Sequence, residues 1–107
     1  MINRSLIDMK VAVLGTGYVG LSTGVCLSEI GHQVICIDID EQKINLLRAG
    51  ISPIYEPGLE ELLNKNAAAD RLLFTTSHSE AFEGAEIIII AVGTPQRNDG
   101  GADLAYL

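Results

Sequence analysis

The sequence predicts an α/β fold, a partial doubly wound parallel sheet of about four strands in the order 3-2-1-4. Three observations predict it. Short β-branched apolar runs alternate with helix-length amphipathic segments from Lys10 onwards. A glycine turn, Gly15-Thr16-Gly17-Tyr18-Val19-Gly20, joins the first run to the first helix. An acid, Asp38, closes the second run 18 residues beyond Gly20. Strand, turn, helix and strand make one βαβ unit, whose strands should be parallel and whose crossover should be right-handed.

The elements follow in order. Residues 1–9 show no period and read as a lead-in. Lys10 to Leu14 is a compact apolar run stopped by glycine, hence a buried strand. Tyr18 to Ile30 reads as a helix, with apolar positions at Val19, Val25, Leu27 and Ile30 and Gly31 as its stop. Gly24, one turn beyond Gly20, extends a small-residue face that lets this helix sit close to the sheet. Gln33 to Ile37 is the second strand. Asp40 caps a helix over Glu41 to Ala49, whose face is set by Ile44, Leu47 and Arg48 and which Gly50 ends. Ile51 to Pro57 carries two prolines and is a loop; Gly58 to Asn66 is the next helix, with Leu59, Leu62 and Leu63 on one side. Leu72 to Thr75 is a third strand, Ser79 to Phe82 at most a short helix, and Glu86 to Val92 the fourth strand and strongest apolar signal. Gly93 to Gly101 is a polar loop, after which Asp103 caps a segment running to Leu107.

The turn and the acid carry the chemistry. Gly15 permits the tight exit from strand one. Gly17 has no Cβ, so a pyrophosphate can approach the backbone. Gly20 lets helix and strand pack at short range. The helix start presents free N–H groups and about half a positive charge to phosphates, and Tyr18 and Val19 in its first turn complete this cofactor-binding group. Asp38 is placed to accept hydrogen bonds from the adenosine ribose and to repel a 2′-phosphate, which selects NAD over NADP; the competing interpretation is a solvated acid that merely ends the strand. Thr94 lies just past strand four, beside the crevice where doubly wound sheets bind ligands, although a plain turn hydroxyl would look the same.

Composition excludes other classes. The chain has 107 residues, 48% of them hydrophobic, and a net charge of −7. That is one small domain with a real core. Its acidity gives no counterion-release attraction for nucleic acid and disfavours anionic membranes. No stretch approaches the roughly 20 apolar residues of a membrane span, and residues 1–10 lack the pattern of a secretory signal. Cys26 and Cys36 make no disulfide framework and read as reduced, buried core residues of a cytoplasmic protein. His32 follows a turn glycine and His78 lies in a Thr/Ser-rich loop, neither with a partner spaced for a metal. No nucleophile elbow or P-loop is present. The chain offers no catalytic residue and no metal ligand of its own.

Four segments together resemble one family: Gly15 to Leu21 (GTGYVGL), Asp38 with Lys43 (DIDEQK), Ser52 to Leu59 (SPIYEPGL) and Val92 to Leu104 (VGTPQRNDGGADL). The chain is similar to the N-terminal part of the UDP-glucose/GDP-mannose dehydrogenases. The resemblance implies that residues 1–107 are the N-terminal portion of a Rossmann-type NAD-binding domain, truncated before the catalytic and substrate domains. It implies NAD as cofactor, Asp38 on the ribose, Lys43 near the adenosine side, and Thr94 against the cofactor. On spacing alone Lys43 is equally a solvated helix lysine. Family members oxidise the 6-hydroxyl of a nucleotide sugar to a carboxylate with two NAD, using a cysteine, a lysine, an asparagine and an aspartate that would lie beyond Leu107. The resemblance therefore implies a nucleotide-sugar substrate for the full-length enzyme and an isolated chain that binds NAD without turnover. Tyr55 and the Gly-Ala-Asp-Leu segment tilt the substrate towards UDP-glucose, with GDP-mannose and UDP-N-acetylmannosamine as alternatives. Glu56 has no evident chemical task and reads as part of a structural link between two helices. A free-standing nucleotide-sensing Rossmann module is the competing class. An incomplete sheet leaves an unpaired edge strand, which predicts self-association into a homo-oligomer.

Overall fold

The computed structural model describes residues 8–92; the predicted loop at 93–101, Thr94 within it, and the segment after Asp103 lie outside these residues. Four strands form one parallel sheet in the order β3-β2-β1-β4. β1 (Lys10–Leu14), β2 (Gln33–Ile37) and β3 (Leu72–Thr75) have the predicted bounds, and β4 (Ile87–Ile90) is shorter than the apolar run that announced it. The register pairs Val11 with Val34 and Val34 with Leu72, and the next residues fall on the opposite face. Val11, Val13, Val34, Cys36, Leu72 and Phe74 therefore meet the helices on one side, while Ala12, Ile35 and Ile37 face the other.

The first face carries α1 (Tyr18–Ile30), α2 (Glu41–Arg48) and α3 (Leu59–Ala68). The buried stripe of α1 is Gly20, Leu21, Gly24, Val25 and Ser28, whereas Val19 and Ile30, counted as core positions by hydropathy, are exposed. Small residues decide this face because they let the helix approach: a Cβ on Gly24 would lie 2.6 Å from the Cys36 sulfur. Cys26 falls off that stripe and is exposed, which corrects its assignment to the core. Cys36 is buried, and burial pushes its thiol up to about 12. α2 is capped by the Asp40 carboxylate, which accepts from the Lys43 N–H at 3.1 Å, and it buries Ile44 and Leu47; Arg48 instead reaches across to donate to the Phe74 carbonyl at 2.9 Å.

α3 runs beside α1 in the same direction. Near their carboxyl ends, Glu29 accepts from Lys65 at 3.0 Å and from the buried Asn66 at 3.2 Å. Asn66 accepts in turn from two nitrogens of Arg71, at 2.7 and 3.0 Å, and Arg71 also donates to the Ser28 carbonyl. This network locks both helices to the start of β3.

Among the described residues the second face carries only α4 (His78–Phe82), which Ser77 caps. His78 thus starts a helix rather than lying in a loop, with its ring edge-on to Phe82 at 5.8 Å. This one short helix covers little of the face among the described residues. Ile87, Ile88 and Ile90 of the edge strand are 40, 49 and 73% exposed, so the most apolar run of the chain is not a buried strand among the described residues.

Candidate functional site

At the carboxyl ends of β1 and β2 the chain turns twice, and the two turns meet. Gly15 leaves β1 at a φ of +107°, a conformation glycine tolerates best. Its N–H donates to the Ile37 carbonyl at 2.7 Å, which stitches the turn to the end of β2. A Cβ here would lie 3.0 Å from the Ala91 carbonyl oxygen, so the residue just past β4 closes over the turn as well. Gly20 is required for a separate reason: its missing side chain lets the first turn of α1 lie directly on the Gly15 carbonyl.

Gly17 differs from both. Its φ is −70° and a Cβ would meet nothing within 4 Å among the described residues. No contact among the described residues demands glycine there, so the demand points outward, to something that approaches the backbone. Gly17 is also the N-cap of α1, and it supplies no side-chain cap. The first helical hydrogen bond runs from the Leu21 N–H to the Gly17 carbonyl at 2.9 Å, which leaves the N–H groups of Tyr18, Val19 and Gly20 without a partner inside the helix. No acid lies in that first turn to offset the helix dipole. Tyr18 and Val19 are 57 and 65% exposed around this opening. The arrangement suits an anionic diphosphate.

Asp38 stands at the rim, half-buried and held from three sides. Its Oδ2 accepts from the Thr16 hydroxyl at 2.6 Å and the Thr16 N–H at 3.1 Å, and its Oδ1 from the Asp40 N–H at 3.0 Å. The Lys43 ammonium sits 3.7 Å from Oδ2. Burial works against ionisation, but the Thr16 hydroxyl, the Asp40 and Thr16 N–H groups and the Lys43 charge outweigh it and hold the carboxyl below its ordinary range. Asp38 is thus an anion at neutral pH. That environment suits ribose hydroxyls.

Gly15, Gly17, Tyr18, Val19, Gly20, Asp38 and Lys43 are therefore brought together at one end of the sheet. Thr94 lies outside the described residues. Two residues at this end of the sheet escaped sequence reasoning. Thr16 is 1% exposed and spends its hydroxyl on Asp38; the available signal was a hydroxyl residue between the first two motif glycines, where the turn faces the end of the adjacent strand. Glu56 lies in the loop before α3, and because α3 parallels α1 this loop returns to the same end. Hydrogen bonding to the Glu56 carboxylate, together with its charge, raises the Tyr18 phenol above its ordinary range. Among the described residues no group of three His, Cys, Asp or Glu side chains is placed to hold a metal ion, and no helix is long and apolar enough to cross a membrane.

Comparison with known proteins agrees with this geometry. Residues 9–107 match the family model for the UDP-glucose/GDP-mannose dehydrogenase family, NAD binding domain. The chain is 64% identical over 99 residues to the UDP-glucose 6-dehydrogenase YwqF of Bacillus subtilis, covering 92% of this chain and 22% of that protein. Its structure is similar to that of a UDP-glucose dehydrogenase from the archaeon Pyrobaculum islandicum, with a TM-score of 0.89, 42% identity, and coverage of 99% of this chain and 24% of the other. It is also similar to a GDP-mannose dehydrogenase of Pseudomonas aeruginosa crystallised as a ternary complex, with a TM-score of 0.87, 43% identity, and coverage of 92 and 22%. The chain spans less than a quarter of the length of each of these relatives.

Proposed function

The chain belongs to the UDP-glucose/GDP-mannose dehydrogenase family as its NAD-binding domain, and from that premise we propose that Gly15, Gly17, Tyr18, Val19, Gly20, Asp38, Lys43 and Thr94 hold the cofactor. The observation that carries this reading is Gly17, a glycine that no contact among the described residues requires, at a start of α1 without a side-chain cap. The pyrophosphate takes the free N–H groups of the first turn. Asp38 accepts from the adenosine ribose, and Ile39, 82% exposed beside it, offers the adenine an apolar surface. NAD, when bound, supplies the hydride acceptor; these residues bind and orient it. A 2′-phosphate would meet the ionised Asp38, so NAD is preferred over NADP. Calorimetric titration of the chain with NAD, NADP and ATP tests this. NAD should bind best. Equal affinity for NADP would overturn the role of Asp38, and a preference for ATP would replace the cofactor site with a nucleotide sensor.

The whole protein, on this reading, oxidises UDP-glucose to UDP-glucuronate with two NAD, and residues 1–107 form the N-terminal portion of its first domain. Support comes from the 64% identity to a UDP-glucose 6-dehydrogenase. The likeness to a GDP-mannose dehydrogenase keeps a second nucleotide sugar in view. Assay of the full-length enzyme on UDP-glucose, GDP-mannose and UDP-N-acetylmannosamine decides between them. On this reading the isolated chain binds NAD without turnover. Its β4 edge, unpaired among the described residues, favours self-association, and a strictly monomeric species in sedimentation over a wide concentration range would overturn that.

A further inference from the structure

We propose that Thr16 is a positioning residue of the cofactor site: its hydroxyl clamps Asp38 in the orientation that the ribose requires. The inference rests on the NAD reading above. Thr16 is the middle residue of the first Gly-x-Gly step, a position the glycine motif leaves open to any residue. Here it is buried, and both its polar donors are aimed at one acceptor, Asp38 Oδ2, at 2.6 Å from the hydroxyl and 3.1 Å from the N–H. The hydroxyl contact has the short length of a charge-assisted O–H···O⁻ bond.

The consequence is geometric. A carboxylate at the end of a strand, on an exposed loop, ordinarily samples several rotamers. Oδ2 is tied to the β1–α1 turn and Oδ1 to the Asp40 N–H, so the plane of the carboxylate is fixed relative to the turn that takes the diphosphate. Ribose and diphosphate are joined covalently within one ligand, only a few bonds apart. Their two binding groups serve best at a separation that this short linkage spans, and Thr16 is the covalent and hydrogen-bonded link between them. The charged groups facing Asp38 are Lys43 on α2 and Asp40, whose carboxylate is turned to the Lys43 N–H. Neither reaches Oδ2 as closely as the Thr16 hydroxyl does.

Four proteins test this: the wild-type chain, T16S, T16A and T16V. Serine keeps the hydroxyl, valine keeps the shape without it, and alanine differs from serine by one oxygen alone. NAD affinity is measured by calorimetry across pH, and the Asp38 carboxyl is titrated by NMR without cofactor. T16S should match wild type within about twofold, while T16A and T16V should lose about tenfold in affinity, or about 1.4 kcal/mol. Their acid-side loss of affinity and their Asp38 titration should both move to higher pH. A purely structural threonine would lower the melting temperature in all three variants but leave the Asp38 titration in place. That result, or T16A binding as tightly as T16S, would overturn the proposal. If valine does not fold, the serine and alanine pair still decides. A wild-type chain that binds no NAD would instead overturn the cofactor reading, and the carboxyl titration would still report on the clamp.

Discussion

Gly17→Ala and Gly20→Ala should separate the two tasks that the glycine turn performs. Both replace glycine with the smallest side chain, three residues apart, and the structure assigns them opposite outcomes. At Gly20 the new Cβ would stand 2.9 Å from the Gly15 carbonyl carbon, closer still to its oxygen, and 3.2 Å from the Ala91 Cβ. Its main neighbour is backbone that is itself pinned by the Gly15 to Ile37 hydrogen bond, so no side chain can swing away. Overpacking against rigid structure costs about 3 kcal/mol, which for a domain of this size lowers the melting temperature by roughly 15 °C. At Gly17 the Cβ enters open space at an ordinary φ. Restricting the unfolded chain contributes about 0.4–1 kcal/mol of stability, and alanine is a poorer N-cap than glycine by a similar small amount. The fold should therefore stay within about 1 kcal/mol of wild type. Its methyl group stands where the diphosphate would approach, so NAD affinity should fall by at least about tenfold. Calorimetric melting and NAD titration of both variants read these effects. G17A that binds NAD like wild type would show that no ligand approaches that backbone, and the central argument for the site would fail. G20A with an unchanged melting temperature would refute the close contact of helix and turn.

Three other outcomes follow from named contacts. Asp38 titrates below its ordinary range in the native chain, so its contribution to stability is complete above the unfolded value of about 3.9 and is lost as pH falls through the native value; urea unfolding of D38N should lack this part of the acid-side decline, and an identical acid limb would contradict it. Asn66 bridges Glu29, Leu62 and Arg71 from a fully buried position, so N66A should cost about 2 kcal/mol by stranding those groups, measured by chemical denaturation. Asp40 caps α2, and D40A should cost about 1 kcal/mol by the same measurement.

The strands were legible because β-branched runs bounded by glycine and polar residues leave few alternatives, and parallel order followed from their alternation with helices. The place of Asp38 at the end of β2 was legible because it directly follows the apolar run, and the competing acid, Asp40, sits where a helix cap belongs. The burying face of α1 was not. Hydropathy weights Val19 and Ile30, yet the sheet admits Gly20, Gly24 and Ser28, since closeness of approach rather than side-chain apolarity sets that contact. Cys26 was misplaced for the same reason. The exposure of β4 was hidden because four isoleucines read alike at an edge or a centre. Position in the sheet is a property of topology, not of the run.

Glu56 was illegible for a third reason, which concerns direction. In an alternating α/β chain, a helix that follows a strand carries the backbone from the carboxyl end of the sheet towards the amino end. Here two helices lie between β2 and β3. The chain must climb back between them, and the Ser52–Leu59 segment makes that return. Gly50 ends one descent at a φ of +83°, and Gly58 begins the next at the same φ, in left-handed conformations that suit glycine. The Glu60 carboxylate accepts from the Ser52 N–H at 3.0 Å and Asn64 donates to the Gly50 carbonyl at 2.9 Å, so the ascending segment is tied to the helix that descends after it. The loop therefore ends at the carboxyl end of the sheet, beside Tyr18, although its sequence shows only two prolines and a turn. A segment that looks like a spacer between helices thus reaches the end of the sheet where the glycine turn lies, because a second helix was inserted before β3.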